Sequence, residues 1–100
     1  MRRIRIAPAA AEDLAALHEY LVEGGNEERA TEMVRQILSR VKQLGKFPRL
    51  GTSRSAAGPG WRVFPEAQYL IYYRQRDVGI ELLRVLHGSR NQEVALRIDR

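Results

Sequence analysis

The chain has 100 residues, 44% of them apolar, no cysteine and a formal charge of +5. That length and apolar share suit one domain with one core and argue against global disorder. No apolar run approaches the roughly 20 residues a bilayer-spanning helix needs, and without cysteine a disulfide scaffold and cysteine-based zinc sites are excluded.

No signal-type stretch follows Met1-Arg2-Arg3-Ile4, so the cytoplasm is the expected location and no membrane partner is expected. Fifteen of the 17 basic residues are Arg. Arg pairs with carboxylate and phosphate through its planar fork, so the charge points to an anionic partner, against the plainer reading of a soluble protein with a high pI.

Arg3-Ile4-Arg5-Ile6 alternates polar and apolar residues, which predicts a short half-buried strand ended by Ala7-Pro8. Pro8 suits the first position of a helix, and Glu12 and Asp13 fall in or near its first turns. Leu14, Leu17 and Leu21, with His18 and Val22, form one apolar stripe, and Gly24-Gly25 stops the helix. Asn26 is a good N-cap for a second helix, with Glu27-Glu28 behind it. Ala30, Val34, Ile37, Val41 and Leu44 step by four and three, with Met33 and Leu38 widening the stripe. The spacing predicts a helix from Glu27 to near Lys46, antiparallel to the first.

"FPRLGTSRSAAGPG", residues 47–60, has no period and reads as a long loop. Trp61–Phe64, Tyr69–Gln75 and Ile80–His87 are rich in aromatic and branched residues and read as strands. Asp77-Val78-Gly79 fits a hairpin turn, and Pro65 closes a strand or marks an edge. In the polar tail, Val94-Ala95-Leu96 and Ile98 fit either a short helix or a final strand. The expected fold class is α+β: a two-layer β-α-α-β-β-β order, with an N-terminal helical hairpin packed on a mainly antiparallel sheet. Simple alternation puts Leu82 and Leu86 on one face of the last strand and Leu83 and Val85 on the other. Apolar surface is then left over for the tail or a partner.

Few constellations suggest bond-making chemistry. Glu12-Asp13 and Glu27-Glu28 read as helix N-terminal charge, and His18 as a packed or boundary residue. A metal site would need carboxylates from three segments, so none is expected. Gly58-Pro59-Gly60 precedes a strand, not the helix a phosphate loop needs. Ser53, Ser55 and Ser89 have no evident His-acid pairing, although Ser89 lies two residues from His87. Arg62, Arg74, Arg76, Arg84 and Arg90, with His87, cluster on the C-terminal strands. They read as solvated strand faces, as RNA-handling groups, or as a docking surface for an acidic protein. A metal-free ribonuclease needs a base, an acid and a cation; His87 and Arg90 could fill two roles and the third has no clear candidate.

The run "YLIYYR…GIELLRVLHGSRN" resembles the C-terminal half of toxins of the ParE branch of the RelE/ParE superfamily. "IRIAPAAAEDLAALHEYL" resembles their opening strand and helix, and "FPRLGTSRSAAGPGWRVFP" their connection into the sheet, so the resemblance spans nearly the whole chain. It implies a cofactor-free toxin of a type II toxin–antitoxin module, poisoning DNA gyrase and blocking replication. It also implies a ParD-like antitoxin whose acidic C-terminal segment folds on the toxin, with two toxins and two antitoxins as one stoichiometry. The alternative is the RelE branch, which cleaves mRNA in the ribosome. By the resemblance Arg90 matches that branch's Arg after the last core strand. Its C-terminal Tyr falls near Leu96 and its middle-strand Arg near Pro65. Two expected groups are thus substituted, and a non-enzymatic protein is expected.

Arg54, Arg62, Arg74, Arg84, His87 and Arg90 are the candidates for target binding. Leu14, Leu17, Leu21, Val34 and Leu38 are the candidates for antitoxin binding, with plain core as the competing reading of each. A buried Arg would need a carboxylate, and Glu66 or Glu81 could serve. Direct nucleic-acid binding is not expected: stacking platforms would put aromatics on one strand face, whereas Tyr69, Tyr72 and Tyr73 fall on both.

Overall fold

The computed structural model describes residues 3–89. Its elements are β1 (Arg3–Ile6), α1 (Pro8–Glu23), α2 (Glu27–Lys46), a 3₁₀ turn at Pro48–Leu50, β2 (Thr52–Ser53), β3 (Trp61–Glu66), β4 (Tyr69–Arg76) and β5 (Gly79–His87). The sheet order is β1-β5-β4-β3-β2. β1 runs parallel to β5, and the other neighbours are antiparallel. The expected α+β class and helical hairpin are both present. The two-residue strand β2 is an addition: Thr52 and Ser53, inside the stretch read as loop, pair with Val63 and Arg62.

The helices form for local reasons. Pro8 occupies the start of α1, where its missing N–H is harmless. Asn26 caps α2, its side-chain oxygen accepting from the Arg29 N–H at 3.1 Å. The stripe of α2 buries Ala30, Met33, Ile37, Val41 and Leu44, and the last four share one core cluster with the sheet residues Ile71, Tyr73, Ile80 and Leu82. Fully buried aliphatic side chains such as Ile37 and Leu82 contribute about 1.5–3 kcal/mol each. His18 is exposed, not packed, because the buried strip of α1 is narrow: Ala10 and Leu17 are its only buried residues.

Gly79 makes the hairpin and the β1 junction possible. Its φ is +124°, and a Cβ there would lie 1.8 Å from the Arg3 carbonyl oxygen. Only glycine fits so close a backbone approach. Pro65 lies inside β3, past the two residues that β2 pairs. There β3 is the sheet's margin, where a missing donor is tolerated.

A β-bulge sets which face each β5 side chain meets. Tyr72 pairs with Arg84 but Tyr73 pairs with Leu82, so Leu83 is an extra residue in β5. Before the bulge Ile80 and Leu82 face the helices; after it Val85 does. Leu83 and Leu86 instead join Val63 and Tyr72 on the other face, with Ala57, Trp61 and Leu70 packed around them. The expected pairing of Leu82 with Leu86 and of Leu83 with Val85 is therefore wrong. An inserted residue reverses the alternation of everything beyond it.

Candidate functional site

Asp13 and Arg84 hold α1 to the open end of β5. Arg84 Nε donates to Asp13 Oδ2 at 2.7 Å and its Nη2 to Oδ1 at 2.9 Å, a bidentate fork. Asp13 Oδ2 also accepts from the Val85 N–H at 3.0 Å. β1 pairs β5 only as far as Leu82, so the Asp13 carboxylate takes up a strand donor just beyond the last paired residue. Both side chains are largely buried, at 12% and 14% exposure. The partner of Arg84 is thus Asp13 rather than Glu66 or Glu81. Asp13 sits beyond the first turn of α1, so its role is this tertiary pair rather than helix N-terminal charge.

Glu81 and Glu66 hold other cations. Glu81 pairs with Arg74 at 3.1 Å and with Arg76 at 3.3 Å across the β4–β5 hairpin. Buried Glu66 accepts from Gln36 Nε2 and from Arg40 Nε, each at 2.6 Å. Burial alone would raise its pKa, but the two hydrogen bonds and the Arg40 charge outweigh that and hold the carboxyl below its ordinary range. The Arg40 guanidinium also lies 4.8 Å from the centre of the Phe64 ring.

Arg62 donates through Nε and Nη2 to the Gly51 carbonyl, at 3.1 and 2.7 Å. Beside it the Tyr73 hydroxyl donates to the Pro48 carbonyl at 2.6 Å and accepts from the Gly51 N–H at 2.8 Å. These contacts order the first third of the long connection. Arg54 is exposed further along it, its N–H donating to the Trp61 carbonyl.

His87 ends β5 in a groove of about 620 Å³ between α1 and the strand ends, lined by Leu17, Tyr20, Leu21, Tyr69 and Val85 among others. Its ring stands edge-on to Tyr69, 5.3 Å between centres. Its Nδ1 accepts from the Ser89 N–H at 3.1 Å and lies 2.7 Å from Ser89 Oγ. The Ser-His contact is thus a local turn, and the nearby Asp13 carboxylate is already spent on Arg84 and Val85. Tyr20 is 71% exposed on the groove wall. Burial, and secondarily the nearby Tyr20, push the Tyr69 phenol upward, while Arg29 opposes them.

The target-binding candidates do not form one patch. Arg62 reaches toward the loop on the helix side, Arg74 lies on the opposite face with Glu81, Arg84 is folded onto Asp13, and His87 lines the groove. Arg90 lies outside the described residues, as does the tail through Leu96 and Ile98. Of the antitoxin candidates, Leu17 and Leu21 line the groove. Leu14, Val34 and Leu21 also pack on the main core, and Leu38 is half-buried on α2. Tyr69, Tyr72 and Tyr73 are all buried and offer no stacking platform. Among the described residues no cluster of three or more His, Asp or Glu could hold a metal ion, and no helix is long and apolar enough to cross a membrane.

Sequence reading missed the groove and the place of Tyr20 on its wall. A single Tyr beside a leucine stripe gives no signal until the end of β5 is placed beside it.

This fold is that of a toxin–antitoxin component. A solved structure of the chromosomal ParDE toxin–antitoxin system from P. aeruginosa superposes with a TM-score of 0.74, at 26% identity, over 87% of this chain and 96% of that one. Toxin ParE3 of Caulobacter vibrioides is 32% identical over 90 residues, which are 90% of this chain and 89% of the relative. The family model for the ParE toxin of the type II toxin–antitoxin system, parDE, matches residues 4–92. The chain belongs to the ParE toxin family.

Proposed function

We propose that this ParE-family toxin acts by binding rather than by bond cleavage, that its target is DNA gyrase, and that a ParD-like antitoxin neutralises it in the cytoplasm. The observation that carries the binding reading is the engagement of the strand cations. Arg62, Arg74 and Arg84 are each held by a carbonyl or a carboxylate of the fold. Arginines so fixed shape a surface, and proton transfer needs groups free to exchange a proton with a substrate. The groove beside α1 supports the antitoxin reading. Its aromatic and aliphatic walls with one exposed Tyr fit the apolar anchors of a segment that folds on binding.

The decisive experiment is a supercoiling and DNA-cleavage assay with purified gyrase and ATP. Accumulation of cleaved DNA, reversed by the antitoxin, is the expected result. An unchanged gyrase at high excess of folded toxin would remove gyrase as the target. For the antitoxin, Tyr20→Ala is expected to leave the fold intact and to weaken binding at least tenfold. Unchanged affinity would place the antitoxin elsewhere.

A further inference from the structure

We infer that the sheet face turned away from the helices is, at its β4–β5 hairpin end, a docking surface for the phosphate backbone of duplex DNA.

The register builds this surface. Arg5, Glu81, Arg74 and Trp61 stand side by side across β1, β5, β4 and β3. Their chain neighbours Ile80, Leu82 and Tyr73 face the helices, so the row faces the other way. Arg3 and Arg76 flank Gly79 two residues further along the strands, on the same face. Arg54 joins them from the long connection. Its N–H donates to the Trp61 carbonyl, and its charge reaches Tyr72: burial raises that phenol's pKa and Arg54 opposes the rise. Five arginines thus stand with two carboxylates, Glu81 and Asp77, on a chain whose whole charge is +5.

The makeup of the face selects the partner. Glu81 holds Arg74 and Arg76 at 3.1 and 3.3 Å. Among the described residues Arg3, Arg5 and Arg54 make no ion pair, and all three are exposed, as is Arg76. The apolar side chains of this face, Val63, Tyr72 and Leu83, are buried, so a protein partner would find charge without an apolar centre. Trp61 leans on Tyr72, 6.0 Å between ring centres. Gly58 lies so near it that a Cβ there would come within 2.6 Å of the indole Nε1. Stacking of unpaired bases, the mode the sequence argues against, is thus closed. Phosphate contact needs only arginines gathered on one face. A duplex carries one negative charge about every 1.7 Å of its axis and offers such a face a dense row of acceptors. This surface depends neither on which protein is the toxin's target nor on the groove beside α1.

The test is fluorescence anisotropy of the full chain with a labelled DNA duplex of about 20 base pairs, titrated with salt from about 50 mM upward. Micromolar binding that is indifferent to sequence and weakens steeply with salt is expected. R54Q/R76Q should bind at least tenfold more weakly, with the slope of log K against log salt shallower by about 2. R29Q/R35Q, which removes the same charge from the exposed side of α2, should stay within about twofold of wild type, since neither residue lies on this face. E81Q releases Arg74 and Arg76 and should bind more tightly, a gain that damage to the fold would not produce. Circular dichroism confirms that each variant is folded. Four results would overturn the proposal: no binding at low salt, equal losses in R54Q/R76Q and R29Q/R35Q, no gain in E81Q, or tighter binding of single strands than of duplex. Displacement of the duplex by poly-glutamate at matched charge would also overturn it and make an acidic protein the occupant.

Discussion

Removing the Asp13 carboxylate by Asp13→Ala strips three contacts at once: the two limbs of the Arg84 fork and the Val85 N–H bond. The guanidinium stays behind in a site that leaves it only 12% exposed. Removing one partner of a buried ion pair costs about 3–5 kcal/mol, since the other charge is left uncompensated. For a chain of this size each kcal/mol lowers Tm by about 4–8 °C, so the expected fall is roughly 12–40 °C. Asp13→Asn keeps one oxygen for the Val85 N–H and should lose less, on the order of 2–3 kcal/mol. Urea denaturation followed by circular dichroism measures both. In a double-mutant cycle with Arg84→Met, the two losses should fall short of additive by 1 kcal/mol or more, the signature of direct coupling. An Asp13→Ala protein within about 1 kcal/mol of wild type would refute the view that this pair holds α1 to β5.

Glu66 should make stability pH-dependent in one direction. Its folded pKa lies below the ordinary 4.5, so its contribution is complete above that value and is lost as pH falls through the lower folded value. Glu66→Gln should therefore be less stable at pH 7, with the gap to wild type closing toward pH 3 in urea melts. Tyr73→Phe removes a buried hydroxyl bonded to both Pro48 and Gly51. It should cost about 1–3 kcal/mol and speed proteolysis of the 47–60 connection. Gly79→Ala forces a Cβ into the Arg3 carbonyl at a φ of +124°. A loss above about 2 kcal/mol is expected, with exchange protection disappearing first from the β1–β5 ladder.

The helices and main strands were legible because their signals are local. The 30-34-37-41-44 stripe, the Asn26 cap and the Asp77-Val78 turn each lie within a few neighbouring residues. What escaped was set by distant ones. Thr52 and Ser53 become a strand because Arg62 and Val63 are presented to them. Leu83 becomes a bulge because of its registry with β4, which a period-two reading cannot detect. Asp13 resembled dipole charge because its partner is 71 residues away. The site arginines showed the same division. Their presence on the strands was readable, but their commitment to Glu81, Gly51 and Asp13 was not. That commitment depends on which face each strand turns to its neighbour.

The pairing of β1 with β5 also has a temporal side. Among the described strands the first in the chain has the last as its sheet neighbour, Arg3 meeting Gly79 and Ile6 meeting Leu82. During synthesis the hairpin of α1 and α2 can form early, since its contacts are close in sequence. The sheet beneath it must wait for residues 79–82. A nascent chain halted before the β4–β5 hairpin therefore has neither a seated N-terminal strand nor the Arg84 anchor for α1. The assembled surface comes into being only once the β4–β5 hairpin is made, and a chain terminated before that hairpin should carry none of the toxin's activity.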